Sequence, residues 1–440
     1  MTGKDDQPCD PDTGSVRVGI RPAWWLVLLL QFVLSIGWAT MVPVDPVSDS
    51  TVYDLTAWNI AQGQGYVMED GRPTAYWPVG TSGVYAILFA LFGHVFWPIV
   101  VFNILVRLAT TVLVMTLADR WFGSSVALLS GVLMSIWPSQ IQFTTVLASE
   151  LPFALVMLLA LWIWLMEDRS IWGRAMVVGL ILGLASYLRP TALLLPVVFA
   201  MIRLAQQGQI VKTTLATSLV FVCLGITVAP WAYRNTNTFD QFVLISTNGG
   251  TNLWMGNNPE SDGTFMSPPK DMPDLNEAER DKELGRRAVE YIKAEPGAFI
   301  WRTVSKLIRL HDRETIGVHW NEKGLITRFG EGVLVPLKIM AQTYWLAILG
   351  LALAGVALLE IQLKSWPDRF RGLFHPTLLI WTYFASIHAV IVIQDRYHFP
   401  SQPFIAILAA VALSQGIGFV KSRRNADQNR VGMNNASPSE

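Results

Sequence analysis

The sequence predicts an all-α polytopic membrane protein with about ten transmembrane helices, an acidic first outer loop and a small outer-face domain. Three observations predict it. Hydrophobic residues fill 52% of the 440 positions and charged residues 15%, where a soluble domain carries about 25% charge. Apolar runs of about twenty residues recur along the chain, each long enough to cross ~30 Å of hydrocarbon. Eighteen tryptophans suit a chain that passes repeatedly through the membrane–water interface, where indole rings collect.

Residues 1–21 are polar and rich in Gly, Pro and Asp, so a disordered cytosolic tail is expected there. The expected spans are 22–41, 97–118, 124–140, 150–166, 175–187, 190–204, 213–232, 334–358, 375–393 and 400–420. The first seven form an N-terminal module, 22–232, holding the long outer loop 42–83. The last three form a C-terminal module, 334–420. Within the loop, a short helix-like run starts near Thr51. Val84–Phe92 is too short to cross and reads as a juxtamembrane or re-entrant helix. The break at Leu188-Arg189-Pro190 is inferred, because the apolar pattern nearly runs through it.

Residues 233–333 form the outer domain. It opens on turn chemistry at Asn248-Gly249-Gly250, Gly256-Asn257-Asn258-Pro259 and Asp262-Gly263. Helical spacing of apolar residues predicts an amphipathic helix over Asn276–Ala294. A second, over Ala298–His311, mixes Trp301, Val304 and Leu307 with Arg302, Lys306 and Arg309 and suits anionic headgroups. The tail 421–440 is basic and then polar, and is expected to be disordered and cytosolic.

Charge placement orients the chain. With both termini inside, the inner segments hold fifteen Lys or Arg, whereas the short outer loops hold only Arg72, Arg189 and Arg396. Counting Val84–Phe92 as a further span would invert everything after it and destroy that bias. Formal net charge is zero, so no nucleic-acid partner is implied. Cys9 and Cys223 make neither a disulfide framework nor a zinc-ligand spacing. The first apolar run has full span length and no small-residue cleavage site, so no cleavable signal is expected.

The acidic outer loop carries Asp45, Asp49, Asp54, Glu69 and Asp70, and carboxylates pinned at a bilayer surface suit general-base or electrostatic chemistry. Further motifs follow it in order. They are Asn59-Ile60-Ala61-Gln62-Gly63-Gln64-Gly65-Tyr66, Trp77-Pro78-Val79-Gly80, Arg120-Trp121-Phe122-Gly123, Ser149-Glu150 and Tyr187-Leu188-Arg189-Pro190. Then come Pro230-Trp231-Ala232-Tyr233-Arg234-Asn235, Ser246-Thr247-Asn248-Gly249-Gly250 and Asp395-Arg396-Tyr397-His398-Phe399-Pro400. In order and in placement on one membrane face they resemble the GT-C glycosyltransferases of the protein-mannosyltransferase, aminoarabinose-transferase and galacturonosyltransferase-like kind, over residues 22 to about 420.

The resemblance implies an inverting hexosyl- or pentosyltransferase that takes a polyprenyl-phosphate-linked sugar donor. The acceptor would be a lipid, glycan or protein at the outer leaflet, among membrane lipids. It further implies a multi-pass protein of a bacterial inner membrane with its active site facing the periplasm. The loop acid of the family matches Asp49. Many relatives carry a second adjacent acid where this chain has Ser50, a role that Asp54 or Glu150 could fill. A divalent metal is left open, with no ligand set assigned.

Transfer from a sugar phosphate needs a base for the incoming hydroxyl and a cationic grip on the departing phosphate. Asp49 is the expected base, its pKa pushed upward by partial desolvation; capping of the helix near Thr51 is the competing role. Glu150 is either a supporting acid or a first-turn carboxylate that the helix dipole favours, and Asp54 stands between the same two roles. Arg189, Arg234 and Arg396 close three different spans and are expected to converge on the donor phosphate. Snorkelling to headgroups is the alternative for each. His398 beside Arg396 would donate to phosphate, ligate a metal or simply sit at the interface. Tyr53 and Tyr76 would stack on sugar or anchor the loop. Arg107, in mid-span, has no acid within sequence reach. A lipid-linked glycan ligase or polymerase, and a transporter or flippase, are the rival readings. The latter predicts charges at mid-membrane and paired broken spans.

Overall fold

The computed structural model describes residues 21–434, apart from 168, 270, 271, 273, 274 and 364. Among these residues every extended element is a helix; Val67 and Pro73 make an isolated bridge. The expected N-terminal tail, but for Arg21, lies outside the described residues.

Helix α1 (Pro22–Met41) crosses first and leads into α2 (Asp49–Ala61) and α3 (Val79–Phe92), the two short helices of the outer loop. The N-terminal bundle continues with α4 (Trp97–Phe122), α5 (Ser124–Ile136), α6 (Pro138–Gln142), α7 (Glu150–Leu165), α8 (Ile171–Leu188), α9 (Leu195–Gln207) and α10 (Ile210–Phe239). The outer domain holds α11 (Gly249–Gly256), α12 (Glu277–Ala294), α13 (Pro296–Arg309), α14 (Ile316–Trp320) and α15 (Glu322–Phe329). Closing the chain are α16 (Leu334–Gln362), α17 (Trp366–Leu373), α18 (Pro376–Val390) and α19 (Gln402–Asn434). The last helix runs fourteen residues beyond 420, into the stretch expected as a disordered tail.

Ten spans were expected; among the described residues seven helices are long and apolar enough to cross, or eight if Ser124–Ile136 and Pro138–Thr145 count as one bent span. The remaining two, α7 and α18, are apolar but have 16 and 15 residues. That is about 24 and 22 Å of helix against ~30 Å of hydrocarbon. Their shortness has a structural use. α7 begins at Glu150 and α18 stops at Val390, and beside those two ends Ser149, His388 and Ile391 line a large cavity.

The third expected span is broken rather than straight, with a 55° bend at Trp137-Pro138. Proline cannot continue a helical hydrogen-bond ladder, so it starts a new helix. Arg107 serves this break. Its Nη2 lies 3.3 and 3.4 Å from the Met134 and Ser135 carbonyls at the end of α5, and its Nη1 donates to the Ser35 hydroxyl on α1. A guanidinium at a helix C-terminus meets free carbonyls and the negative end of the dipole, which suffices for Arg107 to sit 1% exposed with no acid beside it.

Glycine permits the closest packing. A Cβ on Gly179 of α8 would lie 2.5 Å from the Val220 carbonyl oxygen of α10, so only a hydrogen fits where these backbones meet. Gly179→Leu is expected to force α8 and α10 apart and to cost about 1–3 kcal/mol, read as earlier thermal unfolding in detergent. Gly80, in the Trp77-Pro78-Val79-Gly80 motif, has the same explanation. Its Cβ would meet the Tyr187 carbonyl oxygen at 2.6 Å, where α3 docks on the outer end of α8.

The outer loop is fastened to the bundle. Ser50 Oγ donates to the Leu147 carbonyl at 2.9 Å, Thr56 and Ser82 share a 2.8 Å hydrogen bond, and Tyr85 Oη donates to the Ala148 carbonyl. Beneath these bonds Tyr53, Ala57, Tyr85, Phe89 and Leu147 form their own apolar core. Val84–Phe92 is the end of α3, a short outer helix as its length predicts. α12 begins on a capping box, Asn276 with Glu279. α13 exposes Ile300, Trp301 and Ile308, but Lys306 is fully buried rather than set on the surface. Its ammonium donates to the carbonyls of Val390 and Ile391 at 3.0 and 2.8 Å, tying the outer domain to the end of α18.

Candidate active site

Four charged side chains from four separate segments meet at the outer end of the bundle. Asp49 is the first residue of α2, Glu150 the first of α7, Arg189 directly follows α8 and Arg396 lies in the loop after α18. Arg396 Nη2 is 2.5 Å from Asp49 Oδ2, and its Nη1 is 3.4 Å from Glu150 Oε1. Arg189 Nη1 reaches the same Glu150 oxygen at 3.2 Å. Two carboxylates and two guanidiniums thus balance to zero. Glu150 is wholly buried, a state a carboxylate tolerates only when paired.

Asp49 does not cap its helix. Ser48 holds the N-cap position and takes a left-handed φ of 53°, an uncommon conformation for a residue with a Cβ. That turn delivers Asp49 inward, where Oδ1 accepts from the Trp77 indole at 3.2 Å while Oδ2 holds Arg396. The expected upward shift of its pKa is overturned. Burial pushes it up, but the attraction and hydrogen bond of Arg396, helped by Trp77 and Arg189, win and hold the carboxyl below its usual range. Arg396 responds in kind: burial lowers its pKa, yet Asp49 and Glu150 raise it overall. Its guanidinium lies between the Trp320 ring, 4.5 Å away, and the Tyr397 ring, 5.4 Å away.

A cavity of about 1070 Å³ opens beside the cluster. Asp49, Tyr53, Tyr76, Arg189 and Arg396 line one end of it, and Asn248, Asn252 and Arg280 of the outer domain line the other. Glu150 stands behind the two arginines. Three other expected site residues lie elsewhere. Arg234 does not join the cluster: it donates to the Thr74 and Tyr66 carbonyls at 2.9 and 3.2 Å and stacks on Trp231, clamping the outer loop to α10. Asp54 pairs with His94 at 2.7 Å, a tie between α2 and the turn after α3. His398 is 1% exposed and faces Glu314 instead of the cavity.

Trp320 and Gln394 escaped sequence reasoning. Gln394 accepts from Arg396 Nε at 2.7 Å, one position before the motif that holds Arg396. Trp320 lies seventy-six residues before Arg396 in a stretch without a motif, so nothing local marks it. A divalent ion fits this donor set poorly. Each carboxylate already faces a guanidinium, and no group of three His, Cys, Asp or Glu able to hold a metal occurs among the described residues.

A sequence family described as dolichyl-phosphate-mannose-protein mannosyltransferase matches residues 78–233, a stretch that includes Glu150 and Arg189. No curated protein matches the chain in sequence. Among solved structures, the chain resembles ArnT from Cupriavidus metallidurans bound to undecaprenyl phosphate, with a TM-score of 0.58 and 16% identity over 90% of this chain and 61% of that one. It also resembles the archaeal oligosaccharyltransferase AglB from Archaeoglobus fulgidus in complex with an inhibitory peptide and a dolichol-phosphate. There the TM-score is 0.54 and identity 13% over 95% of this chain and 52% of AglB. The chain spans less than two thirds of the length of either. On that matched stretch and that shared architecture, the chain is similar in fold to these polytopic membrane enzymes.

Proposed function

We propose that the chain is an inverting glycosyltransferase that moves a hexose or pentose from a polyprenyl-phosphate donor to a hydroxyl acceptor at the outer membrane face. One observation carries the reading: an aspartate and an arginine from distant segments lie 2.5 Å apart at the mouth of a large cavity. Titratable groups with opposed environments, gathered in a cleft, are what acid–base chemistry at a leaving group requires. Support comes also from ArnT, held with undecaprenyl phosphate, and from AglB, held with a dolichol-phosphate. The excess of inner-segment lysine and arginine supports both termini in the cytoplasm of a bacterial cell and the cavity facing the periplasm.

In the free enzyme Arg396 is engaged with Asp49, and Asp49 is a poor base because that contact holds its pKa down. The donor phosphodiester brings a negative charge to Arg396 and Arg189. Arg396 exchanges the Asp49 carboxylate for a phosphate oxygen, and Asp49, released but still part-buried, gains basicity. It then accepts the acceptor's hydroxyl proton. The acceptor oxygen bonds to the anomeric carbon from the face opposite the phosphate. The carbon–oxygen bond to phosphate breaks with its electron pair, leaving polyprenyl phosphate on the two guanidiniums. Glu150 keeps both arginines aimed inward. Base activation therefore waits for donor, which guards against idle deprotonation.

The test is reconstitution in proteoliposomes with polyprenyl-monophosphate sugars of several kinds, following release of polyprenyl phosphate. Turnover with a monophosphate donor is expected. Release only from a diphosphate-linked glycan would point to a ligase instead, and no release from either would overturn the enzyme reading.

A further inference from the structure

Behind Arg396 lies a buried Glu–His pair that the transfer chemistry does not use. Glu314 is 2% exposed and His398 1%. Glu314 Oε1 accepts from the Trp137 indole at 2.7 Å, from the Gln402 amide at 3.1 Å and from the Ser139 hydroxyl. Its Oε2 has no hydrogen-bond partner and lies 3.5 Å from His398 Nε2, which has none either. On its other side, His398 Nδ1 is 3.1 Å from the Leu310 carbonyl and so carries a hydrogen. With Nδ1 donating, a neutral imidazole would turn a lone pair toward a carboxylate. The two atoms therefore face each other across 3.5 Å, each without another partner.

The pair is one rung of a ladder. Segment 310–320 meets the Arg396 loop four times. Leu310 accepts from His398, Glu314 faces His398, the Thr315 amide donates to Asp395 at 3.0 Å and Trp320 stacks on Arg396. His398 is further wedged against the Trp345 ring of α16 at 4.1 Å. Arg396 sits in a loop with no helix of its own, so its aim depends on these contacts. We propose that Glu314 and His398 are positioning residues whose packing against each other fixes the Arg396 loop so that its guanidinium can exchange Asp49 for the donor phosphate. The inference rests on the glycosyltransferase reading for its consequence but not for its geometry.

Two readouts test it in the full-length protein in nanodiscs. His398→Phe keeps the ring against Trp345 and removes both polar contacts. It is expected to weaken undecaprenyl phosphate binding about tenfold, and to add less than about twofold in an Arg396→Gln background, as for residues acting through one group. Glu314→Gln alone, whose amide can donate to a neutral His398, should keep binding within about threefold of wild type. Losses that multiply in the double variant, or a folded His398→Phe that binds as wild type does, overturn the proposal. If His398→Phe does not fold, Trp320→Leu removes another rung and must show the same non-additivity. The second readout needs no substrate: infrared titration of the Asp49 carboxyl, expected to rise in His398→Phe as Arg396 lets go. A wild type that ignores undecaprenyl phosphate while this shift occurs would sink the functional reading and leave the positioning role standing. An unmoved titration would sink the positioning role alone.

Discussion

Asp49→Asn is expected to lower the rate of sugar transfer about 10²- to 10⁴-fold, the usual worth of a positioned general base. The amide keeps the size of the side chain and can still accept from Trp77, so the loop should stay in place. What it cannot do is take a proton from the acceptor. Binding of polyprenyl phosphate should move in the opposite sense from turnover. In the wild-type protein Asp49 competes with the incoming phosphate for Arg396. An asparagine competes less and repels nothing, so affinity should rise. Steady-state turnover and equilibrium binding, measured on the same nanodisc preparation, separate the two effects. A folded Asp49→Asn protein that turns over at the wild-type rate would exclude Asp49 as the base.

Arg396→Gln should be comparably damaging by a different route. Loss of a charge-assisted contact to a leaving group costs about 10²- to 10³-fold in rate in comparable sites, and phosphate affinity should fall with it. The pH profile gives the sharper signature. The rate requires ionised Asp49, and kcat/KM reports the free enzyme, in which Arg396 holds that carboxyl below its usual range. Without Arg396, burial is opposed only by Trp77 and the more distant Arg189, so the pKa rises. The acid limb of kcat/KM should therefore shift to higher pH in the variant. In the wild type the limb for kcat should lie above that for kcat/KM, because the bound donor has already drawn Arg396 away. Coincident limbs in the wild type would mean that Arg396 keeps Asp49 throughout and that no exchange occurs.

Much of the architecture was legible from the order of residues. Hydrocarbon thickness sets a minimum run of apolar residues, and backbone polar groups in lipid leave helices as the outcome for such runs. The spans beginning at Pro22 and Trp97 could therefore be placed to within a few residues. Two of the expected spans, α7 and α18, are shorter than a full crossing length, because apolarity does not reveal where a helix stops to leave a cavity. Proline marked the bend at Trp137-Pro138, yet the continuous apolar pattern across it read as one straight span.

The site divided along the same line. The sequence alone determined which groups were available at the outer face: Asp49 in an acidic loop, and Glu150, Arg189 and Arg396 beside span ends. Which of them meet was decided by tertiary packing. Arg234 has the same chemistry as Arg396 and a similar place at a span end, but α10 carries it to the Thr74 and Tyr66 carbonyls. His398 is two residues from Arg396, and the tight turn of the loop faces it the other way, onto Glu314. Even the direction of the Asp49 shift depended on a partner 347 residues away. Charge interactions act over a few ångströms of space, a distance that separation along the chain does not encode.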